Sequence, residues 1–142
     1  MTRNLLLRIV LQDPAQGVVY GLQKGKGSNY ETIQKQTSNL ADLIFEFTVH
    51  AKAGKDGNLV FLGPFAQGNP QDRFIYIDIG TCAGQTDTPW SRRLKIPLFG
   101  ITKELIEQLP DGKPLTTKVP GRGKDGSPSC AMVKPFEGWK II

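Results

Sequence analysis

Apolar side chains recur at every second position over much of this 142-residue chain. An extended strand points successive side chains to opposite faces, whereas a helix brings them round every 3.6 residues, so a period of two commits most of the chain to sheet. Leu5, Leu7, Ile9 and Leu11 alternate with Leu6, Arg8, Val10 and Gln12, and Asp13-Pro14 ends the run because proline supplies no ladder donor. Val18–Gln23 reads as a second strand and Tyr30–Gln36 as a weaker one. Leu43, Phe45, Phe47 and Val49 oppose Glu46, Thr48 and His50 in the clearest strand of all. Gly54-Lys55-Asp56-Gly57 suits a turn that needs positive φ, so Leu59–Leu62 is expected to return as its hairpin partner.

Arg73–Ile79 sets Ile75, Ile77 and Ile79 on one face and Phe74, Tyr76 and Asp78 on the other, as a central strand would. Further strands are expected at Leu94–Leu98, Leu115–Val119, Cys130–Lys134 and Gly138–Ile142. Only 102–109 reads as helix: Thr102 caps it, Ile101, Leu105 and Leu109 share a face, and Pro110-Asp111-Gly112 ends it. Eight to ten strands and one short helix predict a mainly β, antiparallel sandwich or barrel, folded as a single domain over residues 1–142. A chain of this length buries enough surface to fold without a metal or disulfide framework.

No apolar run approaches the roughly 18 residues of a membrane helix. Arg8 interrupts what would otherwise be the apolar region of a leader after Arg3, so the expected location is cytoplasmic. Cys82 and Cys130 fit neither a stapled secreted scaffold nor a zinc motif and are read as reduced thiols.

Charge is distributed unevenly. The net charge is +5, and residues 1–90 carry eight basic and eight acidic groups against ten and five in residues 91–142. A basic C-terminal third admits an anionic partner, although the bases are dispersed, as on an ordinary solvated surface.

Gly121-x-Gly123-x-x-Gly126 matches the letters of a dinucleotide fingerprint, but Ser127-Pro128 and a strand follow it where that motif needs a helix N-terminus. Gly21–Ser28 fits no phosphate-loop register. His50, the one histidine, has no ligand-spaced neighbour, so neither a metal nor a cofactor is expected, and no nucleophile elbow is present. The segments around Gly54–Gly57 and Gly123–Gly126 echo one another, suggesting two similar hairpins.

The stretch from Gly80 to Arg93 reads as a long loop crowded with polar groups, and such loops often carry function. Thr81, Gln85, Asp87, Trp90, Arg92 and Arg93, with Asp78 beside them, form the candidate ligand-binding set. Arginine forks bind carboxylate or phosphate, and Trp90 offers a stacking surface. Lys118, Arg122 and Lys124 are a candidate outer basic ring. The structural alternative is an internal ion pair between Asp78 and Arg92 or Arg93, because a carboxylate flanked by Ile77 and Ile79 must be paired or protonated.

Several motifs, including Phe61-Leu62-Gly63-Pro64-Phe65, Arg73–Thr81, Pro89-Trp90-Ser91-Arg92-Arg93, Lys95-Ile96-Pro97-Leu98 and Gly138-Trp139, run from residue 61 to residue 139. As a set they resemble a family of small bacterial single-domain proteins known only as a domain of unknown function. The resemblance implies a bacterial, intracellular protein and brings no activity or cofactor.

Three functions remain in view. The first is non-enzymatic binding of an anionic small molecule or partner through the 80–93 loop and the basic C-terminal third. Nucleic acid is the less favoured partner class, given 8% aromatic content and no alternation of basic and aromatic residues in sequence. The second is a small enzyme using Asp78 or Asp87 as general acid or base, with Arg92 or Arg93 steadying an anion. The third is a homo-oligomeric interaction protein that pairs through strand edges or the Phe61–Phe65 run.

Overall fold

The computed structural model describes residues 2–15, 18–24, 30–35, 42–53, 59–62, 74–80, 90–98, 100–122, 131–132, 136 and 138–141. Among them run ten strands and one helix: β1 (Thr2–Gln12), β2 (Val19–Gln23), β3 (Tyr30–Lys35), β4 (Leu43–Ala53), β5 (Leu59–Leu62), β6 (Phe74–Gly80), β7 (Trp90–Pro97), α1 (Lys103–Gln108), β8 (Leu115–Pro120), β9 (Ala131–Met132) and β10 (Lys140–Ile141). They form two five-stranded sheets, ordered β10-β8-β1-β4-β5 and β3-β2-β6-β7-β9, in a sandwich-like arrangement with a curled half-barrel.

Alternation along the strands decides what lies between the sheets. Leu5, Leu7, Ile9 and Leu11 of β1 are at most 1% exposed, and β4 adds Leu43, Phe45, Phe47 and Val49 from the facing positions of the ladder. From the second sheet come Tyr20, Leu22, Ile75, Ile77, Ile79, Leu94 and Ile96, all in the same core cluster. Each such side chain contributes roughly 1.5–3 kcal/mol on burial. Helix α1 begins where Thr102 Oγ1 accepts the Leu105 amide at 3.1 Å, and Ile101, Ile106 and Leu109 join the core.

Two polar ties join the sheets. Buried Trp139, just before β10, donates its Nε1 to the carbonyl of Pro97 at the end of β7, at 2.9 Å. At the corner where β1 leaves the first sheet, the Tyr20 hydroxyl accepts the Ala15 amide at 2.9 Å and donates to the Gly121 carbonyl at 3.4 Å. Burial, opposed by the Ala15 hydrogen bond, pushes the Tyr20 hydroxyl above its ordinary pKa. The Gly121 amide in turn donates to the Gln12 carbonyl at 2.7 Å. A Cβ at Gly121 would lie 2.6 Å from Pro14 Cα, a backbone atom that cannot step aside. Glycine is required there by close approach.

The expected class and the single helix hold, and so does the β4–β5 hairpin, whose turn residues 54–58 lie outside the described residues. Four features differ. First, β1 begins at Thr2, three residues before its apolar alternation, because its ladder with β4 continues to Thr2–Lys52. Second, two pairs, β1 with β8 and β7 with β9, are parallel. Third, β8 and β9 belong to different sheets and do not pair as a hairpin, and the second glycine-rich echo between them, residues 123–126, lies outside the described residues. Fourth, β7 begins at Trp90 and not at Leu94: pairing of Gly80 with Trp90, Ile79 with Arg92 and Asp78 with Arg93 extends the ladder into the expected loop.

Candidate functional site

The second sheet turns Phe74, Tyr76 and Asp78 of its central strand away from the core, on the face opposite Ile75, Ile77 and Ile79. Asp78 is nevertheless only 4% exposed. Its cross-strand partner Arg93 donates from Nε to Oδ1 at 2.7 Å and from Nη2 to Oδ2 at 3.2 Å, a bidentate grip. Tyr30, two strands away on β3, donates its hydroxyl to Oδ2 at 2.7 Å. The strand it crosses presents Gly21 opposite Asp78, a position with no side chain to block the way. Three donors satisfy a carboxylate that burial would otherwise disfavour.

The pair polarises its surroundings. The Asp78 hydrogen bond raises the Arg93 pKa above its ordinary value against the opposing effect of burial. Tyr30 is raised well above a normal phenol, first by burial and then by the carboxylate it serves.

Arg93 also sits over an aromatic ring, its Cζ 4.5 Å from the centroid of Tyr76. Lys95 Nζ stands 6.0 Å from the ring of Tyr76 and 6.0 Å from that of Phe74. Both aromatic residues and Lys95 are half-buried, and 42% of the Arg93 side chain faces solvent. The result is a strip of two aromatics on one strand and two cations on the next, with one cation held rigidly by a buried carboxylate.

The sequence-derived candidates are distributed as follows. Asp78 and Arg93 come together as the internal ion pair described above. Trp90 and Arg92 are strand positions of β7, with side chains outside the described residues, and Thr81, Gln85, Asp87 and Lys124 also lie outside them. Lys118 sits opposite Val10 on the outer face of the first sheet, and Arg122 is bound at the corner to the carbonyl and carboxylate of Asp13. Neither belongs to a ring around Arg93, because alternation and sheet order carry the C-terminal charge to both sides of the molecule. Phe61, first of the apolar run offered as an interface, is buried in the core, while residues 63–65 lie outside the described residues.

His50 contacts Asn4 on the first sheet, and no group of three or more metal-ligating side chains occurs among the described residues. No helix among them is long and apolar enough to cross a membrane. Tyr30, Phe74, Tyr76 and Lys95 were not in the candidate set. The signal for Phe74 and Tyr76 was the outward face of their strand, but the register that brings Lys95 and Tyr30 to them is invisible in a linear sequence.

Comparison with known proteins places the chain in a family without assigning it an activity. Residues 5–142 match the family described as Family of unknown function (DUF5990). No curated protein and no solved structure matches. The chain belongs to that family.

Proposed function

We propose that this family member is a non-enzymatic module that binds an anionic partner on the outer face of its second sheet, with Arg93 and Lys95 as the cations. One observation carries the reading: Asp78 and Tyr76 fix the Arg93 guanidinium while 42% of that side chain stays in solvent. A cation ordered before binding loses little side-chain entropy when a ligand arrives. Lys95 supplies charge that no carboxylate among the described residues neutralises, whereas Arg8 on the first sheet is matched by Glu46. Asp78 serves this surface by orienting Arg93. The same reading puts the protein in a bacterial cytoplasm, in keeping with two cysteines that follow no secreted-scaffold pattern.

The test is calorimetric titration and thermal shift with tripolyphosphate, citrate, an aspartate-rich peptide and oligonucleotides, on wild type and Lys95→Gln. Lys95 makes only ring contacts among the described residues, so its variant should fold normally. Binding of at least one anion, weakened at least severalfold by Lys95→Gln, is the expected result. Wild type that binds none of them, or binding indifferent to Lys95, overturns the reading.

A further inference from the structure

The outer face of the second sheet has a repeat, and the repeat identifies a class of anion. Resting on the binding role proposed above, we infer that the partner is single-stranded nucleic acid, with bases stacking on the Phe74–Tyr76–Arg93 surface and phosphates meeting Lys95 and the remaining Arg93 donors.

Three observations lead there. First, Asp78 already occupies Nε and one Nη2 hydrogen of Arg93. The Nε–Nη2 edge, one of the two edges by which a guanidinium grips a carboxylate or phosphate bidentately, is therefore taken. What remains is the outward face of the guanidinium, with Cζ 4.5 Å from the Tyr76 ring centroid, together with Nη1 and the second Nη2 hydrogen. A held guanidinium plane is a stacking surface for a base, while its remaining Nη1–Nη2 edge can meet the phosphate beside that base. Second, Phe74 and Tyr76 are two residues apart on β6, and Arg93 and Lys95 are two apart on β7, directly opposite Asp78 and Tyr76. A strand rises about 3.3 Å per residue, so both the aromatic row and the cationic row advance by about 6.6 Å. A ligand that alternates a flat ring with an anionic linker on that scale is an extended oligonucleotide. Third, the surface is the face of a sheet with half-exposed aromatics, a platform along which a single strand lies with its bases unstacked.

Two features set single strands above duplexes. A double helix hides its ring faces, and none of the four side chains sits on an element shaped to enter a groove. The sequence held no alternation of basic and aromatic residues because the alternation runs across two strands.

The experiment is fluorescence anisotropy with a labelled twelve-nucleotide oligothymidylate over a series of salt concentrations. Competitors are an abasic strand of equal charge, the matching duplex, polyphosphate and an acidic peptide. Wild type should bind the oligothymidylate, and the abasic strand should compete about tenfold less well because each stacked base is lost. Lys95→Gln should lower the slope of log affinity against log salt by about 0.7, the loss of one phosphate contact on a single strand. Phe74→Leu should weaken binding about tenfold with the slope unchanged. The abasic comparison uses wild type alone, so it decides the matter even if Phe74→Leu misfolds. If polyphosphate, the abasic strand or the acidic peptide binds as tightly as the oligothymidylate and still depends on Lys95, the nucleic-acid inference falls while the anion-binding reading stands. If no anion binds, both fall.

Discussion

Arg8 and Arg93 make matching contacts in the two sheets. Each lies on the outer face of an antiparallel ladder, each faces a carboxylate directly across it, and each ion pair is short, 2.8 Å to Glu46 and 2.7 Å to Asp78. Even the arginine exposures are similar, 35% and 42%. The difference lies in the carboxylates: Glu46 is 44% exposed and Asp78 only 5%. Water can replace Arg8 at Glu46, but it cannot easily replace Arg93 at Asp78. One pair is therefore ordinary surface, whereas the other is a fixed feature on which recognition can be built.

The largest effect should come from removing the partner of the buried charge. Arg93→Ala is expected to cost about 2–3 kcal/mol in urea denaturation, less than a fully buried pair because the guanidinium is partly in water. Replacing both members, Asp78→Leu with Arg93→Met, should recover most of that loss, because the penalty comes from the abandoned carboxylate and not from a missing attraction. A double variant as unstable as Arg93→Ala would break the comparison at its root.

Tyr30→Phe should cost about 1–2 kcal/mol, the worth of a hydrogen bond to a charged group that retains two other donors. It should also change the alkaline limb of the stability curve. The Tyr30 phenol is raised above the ordinary value of 10.0 in the folded state, so its contribution is complete below pH 10. Above that pH the unfolded chain releases the proton first, and the contribution fades as pH rises towards the folded value. Denaturation midpoints measured upward from pH 9 should therefore fall less steeply in Tyr30→Phe than in wild type. Tyr20, also raised, leaves a residual slope in the variant.

Arg8→Ala should cost no more than about 1 kcal/mol. Raising sodium chloride to 1 M should abolish that small difference while leaving most of the Arg93→Ala deficit, since salt screens exposed pairs far better than buried ones. Equal salt sensitivity of the two variants would mean that the burial of Asp78 does not control its pairing.

Much of the architecture was legible before any coordinates. The odd-numbered apolar residues of β1 and β4, the isoleucine face of β6 and the Thr102 cap all reflect local geometry that a short window of sequence expresses. The candidate site was only half legible. Asp78 stood out as a carboxylate between two isoleucines, and pairing with a neighbouring arginine was one foreseen outcome. Trp90–Arg93 were misread as loop because proline, glycine and polar residues precede them, while the ladder that makes them a strand comes from β6. The expected basic ring does not assemble around Arg93 for a related reason: Lys118 lies on β8 of the first sheet and Arg93 on β7 of the second, while Lys124 lies outside the described residues.

What the amino-acid order determined unaided was orientation: which side of each strand is apolar, and hence which residues turn inward. That follows from the alternation of the extended backbone, a property of neighbouring residues. Which strands lie side by side, and at what offset, was decided only when two sheets matched their apolar faces over one core. Tyr30 reaches Asp78 across Gly21, and Lys95 comes to stand beside Tyr76 and Phe74, by virtue of that long-range register, because a slip of one residue would turn every side chain of a strand to its other face.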